Sequence, residues 1–106
     1  MSVYTPVRVP LFNVRATVPI AADRIVVEWN PFGTAPYQIK KGATMAQGGA
    51  TVLALDFVRD ATGNPINFTG SKFEDFTVQR GVKYYYTVCA AIPSGHACPG
   101  VEATVP

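Results

Sequence analysis

Apolar residues recur along this chain at every second position, and clusters of Gly, Pro and Asn interrupt them about every ten residues. Residues two apart share a face only in an extended strand, so such a pattern is buried in sheets and not in helices. No segment carries a helical stripe of useful length, and nine Gly and nine Pro would break one. The spacing therefore predicts a single all-β domain, a seven-stranded antiparallel β-sandwich.

The expected strands follow from the punctuation. Residues 13–18 form the first, with a turn over 19–23. Residues 24–29 alternate cleanly, with Ile25, Val27 and Trp29 on one face and Val26 and Glu28 on the other. Asn30-Pro31-Phe32-Gly33 ends that run, residues 37–41 give the next strand, and 42–50 is a Gly-rich connection. A strand over 51–59 closes at the turn signal Thr62-Gly63-Asn64-Pro65. Strands over 73–78, 82–92 and 101–105 complete the set, the last two joined through Pro93-Ser94-Gly95.

Residues 1–12 are expected to form an extended N-terminal arm ahead of a sandwich spanning 13–106. Pro6 and Pro10 favour extended backbone around them. Yet Val3, Tyr4, Val7, Val9, Leu11 and Phe12 make the arm too apolar for a free tail. It either packs along its own sandwich or reaches a neighbouring subunit.

Composition narrows the function classes. At 48% hydrophobic and 15% charged, the 106 residues are far from a disordered profile and sufficient for one core. So little charge suggests a surface partly covered in the working state. The net charge of +2 is scattered, with Lys40-Lys41 the one adjacent basic pair, so nucleic-acid binding is not expected. The start, Met1 to Arg8, lacks a basic leader followed by an apolar run, and no stretch is long enough to span a membrane. The expectation is either a complete protein made in a cytoplasm or a piece of a larger one.

Two segments resemble the fibronectin type III family, within the wider immunoglobulin-like sandwiches. Ile25-x-Val27-x-Trp29-x-Pro31 is similar to the family's second strand, with its core tryptophan and following proline. Val78-x-x-Gly81-x-x-Tyr84-x-Tyr86-x-Val88-x-Ala90 resembles its sixth strand and the corner leading into it, although Val78 and Arg80 stand where leucine and proline are usual. The resemblance implies that Tyr84 is the corner tyrosine, bonded through its hydroxyl to backbone upstream. It also implies that Tyr86, Val88 and Ala90 point inward toward Trp29. Ile25, Val27, Trp29, Tyr84, Tyr86 and Val88 are the expected core.

Catalytic chemistry is not expected. The one histidine, His96, lies beside Ser94 in a turn, with no third group to orient it and no Gly-x-Ser-x-Gly elbow. One His and two Cys cannot close a tetrahedral zinc site without help from a carboxylate, and the acidic residues around Asp56 and Asp60 lack calcium-loop spacing, so neither metal nor cofactor is called for. Glu74 and Asp75 are adjacent, so in a strand they face opposite ways; the expected setting is a solvated edge with one carboxylate near a lysine. Asn67-Phe68-Thr69 fits a glycosylation acceptor, here taken as chance. Cys89 falls on the outer face of its sheet and Cys98 beyond a short turn. They form a cross-strand disulfide if the hairpin register sets them opposite, and stay reduced if a bulged turn shifts it.

Three surfaces are left to act: the arm, the 42–50 loop with Met45, and the hairpin carrying His96, with Tyr85 and Thr87 adding a sheet-face patch. The leading expectation is a structural subunit of a bacteriophage virion, a capsid decoration or tail accessory made in the host cytoplasm. It would touch capsid or tail proteins or other copies of itself. The alternative is a binding or spacer module of a secreted or cell-surface multidomain protein, with carbohydrate as a further partner.

Overall fold

The computed structural model describes residues 11–43 and 55–106. Leu11–Asn13 makes one 3-10 turn, followed by strands β1 (Arg15–Thr17), β2 (Ile25–Glu28), β3 (Thr34–Ala43) and β4 (Asp56–Phe57). Then come β5 (Lys72–Asp75), β6 (Lys83–Ile92), β7 (Gly95–Ala97) and β8 (Gly100–Thr104). One sheet has the order β1-β2-β5; the other runs β4-β3-β6, with β7 and β8 both on the far side of β6. Every pairing between named strands is antiparallel.

β7 and β8 are two halves of one strand. Ala90 pairs with Ala97 and Thr87 with Gly100, so the register runs unshifted across the gap. Pro99 sits in that gap, where it has no N–H to give the ladder, while its carbonyl still accepts from Val88 N–H at 2.9 Å. Counted this way, the described residues hold seven strands in two layers.

Between the layers lies one core: Val14, Ile25, Val27 and Trp29 from the first sheet, Tyr37, Ile39, Tyr84, Tyr86, Val88 and Ala90 from the second. Trp29 and Tyr84 share this interior. Each fully buried side chain of this size stabilises the fold by about 1.5–3 kcal/mol relative to exposure. At one pole Phe32 stacks on Phe12 with centroids 4.1 Å apart, and Tyr37 meets Trp29 edge-on at 5.4 Å. Gly33, at φ 58, belongs to that pole too; a Cβ there would stand 2.4 Å from the Ala91 carbonyl oxygen, so no other residue fits.

Several boundaries differ from the sequence reading. β3 begins three residues earlier than expected, because Pro36 is carried in a register shift between Thr34 and Gln38 and does not stop the strand. β5 stops at Asp75, whose carboxylate accepts from Thr77 N–H at 3.0 Å and turns the chain. The expected strand over 51–59 is reduced to Asp56–Phe57 among the described residues. The Glu74-Asp75 pair is not a solvated edge: Glu74 is exposed, but Asp75 is 3% exposed and belongs to the interior.

Candidate functional site

Asp75 ends an edge strand of one sheet, and the chain there turns its side chain into the space between the sheets. Lys41, on β3 of the other sheet, brings its Nζ to 2.6 Å from Asp75 Oδ2. Tyr86, on β6, donates its hydroxyl to the same oxygen at 2.7 Å. Thr77 donates its hydroxyl to Oδ1 at 2.6 Å, and itself accepts from Lys41 Nζ at 2.8 Å. Burial pushes the Asp75 pKa up, but the hydrogen bonds from Lys41, Thr77 and Tyr86 together outweigh it and hold the carboxyl below the usual carboxylate range. Burial, and then the bond to Asp75, push the Tyr86 phenol well above its ordinary value. The arrangement is a charge pair with its lone pairs satisfied, so it ties the two sheets together at that height.

Just outside this cluster the sandwich is open. A groove of about 500 Å³ runs between the edges of β4 and β5, lined by Val58, Arg59, Phe73, Glu74, Phe76 and Thr77 among others. Phe76 is 60% exposed at its mouth, with the Arg24 guanidinium 5.4 Å from the ring centroid. Arg24 also pairs with Glu74 at 2.7 Å and Asp23 at 2.8 Å. Ile20, in the β1–β2 turn, is fully exposed. A second, smaller cavity of about 240 Å³ lies on the outer face of the β3–β6–β7 sheet, beside Pro36, Gln38, Cys89 and His96.

The residues singled out from sequence separate into three groups. Ile25, Val27, Trp29, Tyr84, Tyr86 and Val88 lie together in the core, and the Tyr84 hydroxyl accepts from Gln79 N–H at 2.7 Å, five residues upstream. Cys89 and Cys98 are joined in a disulfide: a two-residue loop, Pro93-Ser94, sets Ile92 opposite Gly95 and carries the register to this pair, with Cα atoms 4.1 Å apart. Of the contact residues, Tyr4, Val7, Val9 and Met45 lie outside the described residues. Leu11 opens the 3-10 turn, Phe12 is stacked on Phe32 and half-exposed, and His96 is exposed opposite Ala91 on β6.

Sequence reasoning missed Lys41, Thr77 and Phe76. Lys41 meets Asp75 only through a register between distant strands, which no local pattern encodes, whereas Thr77 meets it locally, two residues on. Phe76 had a signal, since it breaks the inward alternation of its segment. Among the described residues no group of three or more His, Cys, Asp or Glu is placed to hold a metal ion, and no helix is long and apolar enough to cross a membrane.

No family model matches the chain, and no curated protein matches it in sequence. Among solved structures it is similar to an Fn3-like protein from Clostridium thermocellum, at 26% identity over 90% of each chain and a TM-score of 0.55. Folds of this type usually serve as non-catalytic modules. With its three-strand and four-strand sheets, its core tryptophan and its corner tyrosine, the chain belongs in fold to the fibronectin type III / immunoglobulin-like β-sandwich superfamily.

Proposed function

We propose that the chain is a non-catalytic structural module working through protein–protein contacts, and that its setting is a bacteriophage virion, as a capsid decoration or tail accessory subunit. The observation that carries the contact reading is the placement of large apolar side chains at both poles of a rigid sandwich. Ile20 and Phe76 are exposed at the β1–β2 turn end, and Phe12 at the end where Asn30 N–H bonds its carbonyl. The Cys89–Cys98 disulfide supports a working place outside a reducing cytosol, and virion surfaces are such a place.

A second reading has its own support. The described fold is entered beside Asn30 and left at Val105, which bridges Arg80 at the start of β6, so the two ends sit at opposite poles. Sandwiches joined in series in a secreted or cell-surface protein, with protein or carbohydrate partners, need that geometry.

One fractionation separates these readings. An antibody to the domain is used on lysates, culture supernatants and purified phage particles of the source. A band at single-chain mass that co-sediments with particles supports the virion reading. A band in a larger secreted polypeptide supports the spacer reading. A soluble cytosolic chain with free thiols and no associated protein would overturn both.

A further inference from the structure

Among the described residues, β5 is the last strand of the β1-β2-β5 sheet and pairs only with β2. Trp29 N–H donates to the Ser71 carbonyl at 3.1 Å, which marks 29/71 as a hydrogen-bonded pair of the antiparallel ladder. Alternation then makes Val27/Phe73 and Ile25/Asp75 the bonded pairs of the β2–β5 register. Lys72 and Glu74 therefore aim their backbone N–H and C=O groups away from β2, toward the groove between β4 and β5. That groove carries apolar surface from Phe73, Val58 and the exposed Phe76. An edge with free ladder groups beside an apolar trough is what an added strand requires.

The ten residues ahead of Leu11 have the sequence of such a strand. Val3, Thr5, Val7 and Val9 fall on one parity, and Tyr4, Pro6, Arg8 and Pro10 on the other. In an extended chain each residue's N–H and C=O point to the same side, and the side alternates with parity. The odd residues thus offer an intact row of donors and acceptors along one edge and a β-branched face to bury. Both prolines fall on the other parity, where they deny the opposite edge two donors. Such a strand adds to one sheet edge and then ends the sheet.

The described chain does not run straight into β1. Phe12 and Asn13 are both left-handed, at φ 57 and 51, and the Phe12–Phe32 stack and the Asn30 N–H to Phe12 carbonyl bond fix that turn. The turn lies at the end of β2, whereas the groove opens beside Asp75, the partner of Ile25 at the start of β2. The point where the arm joins the fold and the groove thus lie toward opposite poles, which suits head-to-tail contact between two copies.

We propose that residues 3–9 of one copy add as a strand to the free β5 edge of a second copy, filling the groove beside Phe73 and Phe76. This deepens the contact-module reading by naming the partner as the chain itself. A heterologous contact of this kind builds rows or closed rings and not a two-fold dimer.

The test uses the full chain and proline parity. Light-scattering mass is measured from micromolar to millimolar concentration for the parent, Val7→Pro and Arg8→Pro, with amide exchange on each. The parent is expected to rise to at least twice the 11.4 kDa of one chain, with protection gained at Glu74. Val7→Pro removes a donor from the pairing edge and is expected to stay at single-chain mass. Arg8→Pro adds a third proline to the blocked edge and is expected to associate like the parent. Neither position lies among the described residues, and the melting temperature of each variant, expected to match the parent's, separates lost association from lost fold. A parent that stays at single-chain mass throughout, equal loss in both variants, or Glu74 protection at single-chain mass would each overturn the proposal. A monomeric parent that still co-sediments with particles would remove strand exchange and leave the contact module standing. Association without any particle would remove the virion setting and leave strand exchange standing.

Discussion

Around Trp29, Phe32 and Tyr37 the interior is aromatic, while around Asp75, Lys41 and Tyr86 it is ionic and hydrogen-bonded. The aromatic half holds its shape by ring geometry, and the Trp29 indole N–H finds no hydrogen-bond partner among the described residues. The ionic half satisfies both carboxylate oxygens from two strands of the opposite sheet and a turn. Stability in the first comes from removing apolar area from water. In the second, most of the attraction offsets desolvation, and what is gained is a fixed relation between the sheets. The lesson is that one sandwich can be sealed by bulk at one height and by a polar clamp at another.

The sharpest way to break the comparison is to empty the aromatic half. Trp29→Ala is expected to cost about 3–5 kcal/mol in urea unfolding, because the space left between the sheets collapses only in part. Asp75→Ala comes next, at about 3 kcal/mol, since it leaves the Lys41 ammonium and the Tyr86 hydroxyl without their acceptor. The informative partner is the triple replacement Asp75→Leu, Lys41→Met and Tyr86→Phe, which leaves no buried donor unpaired and is expected to lie close to the parent in stability. A triple variant as unstable as Asp75→Ala would show that the clamp contributes more than a hydrophobic filling can.

Titration sharpens the contrast further. A carboxyl held below its unfolded pKa contributes stability that is present above about pH 4 and lost as pH falls through the folded value. A phenol held above its unfolded pKa contributes stability that is full below about pH 10 and lost as pH rises beyond it. The melting temperature should therefore fall at both extremes, and Asp75→Asn should flatten the acid limb while Trp29→Phe leaves both limbs in place.

The smallest effects concern two tyrosines in matching roles. Tyr37 accepts from Phe32 N–H at 3.0 Å and Tyr84 from Gln79 N–H at 2.7 Å, each five residues upstream and one at each pole. Tyr84→Phe is expected to cost about 1 kcal/mol, because water can reach the part-buried Gln79 N–H. Tyr37→Phe strands a buried N–H and is expected to cost more, up to about 3 kcal/mol. Equal losses in calorimetry would mean that both poles are equally wet.

The aromatic half was the legible one. Ile25, Val27 and Trp29 alternate within one short run, as do Tyr84, Tyr86 and Val88, and that local period is enough to put them on one face. The ionic half was opaque for the same reason. Asp75 looks like any residue beside Glu74 on an exposed edge, and Lys41 lies 34 positions earlier, so only the three-dimensional register brings them together. Between these cases stand the cysteines. Their pairing turned on whether the Pro93-Ser94-Gly95 turn holds two residues or three, a choice the residue types leave open. The arm and Met45 were read from hydrophobicity alone, which calls for cover and does not name what gives it.

Pro99 carries a consequence for how the last strand fails. Its missing donor is a perforation in an otherwise continuous ribbon, and the Cys89–Cys98 bridge is riveted just on the hairpin side of it. While the rivet holds, residues 89–98 stay a closed loop and only Gly100–Thr104 can peel from β6; once a reductant cuts it, the tip can come loose along the perforation as well.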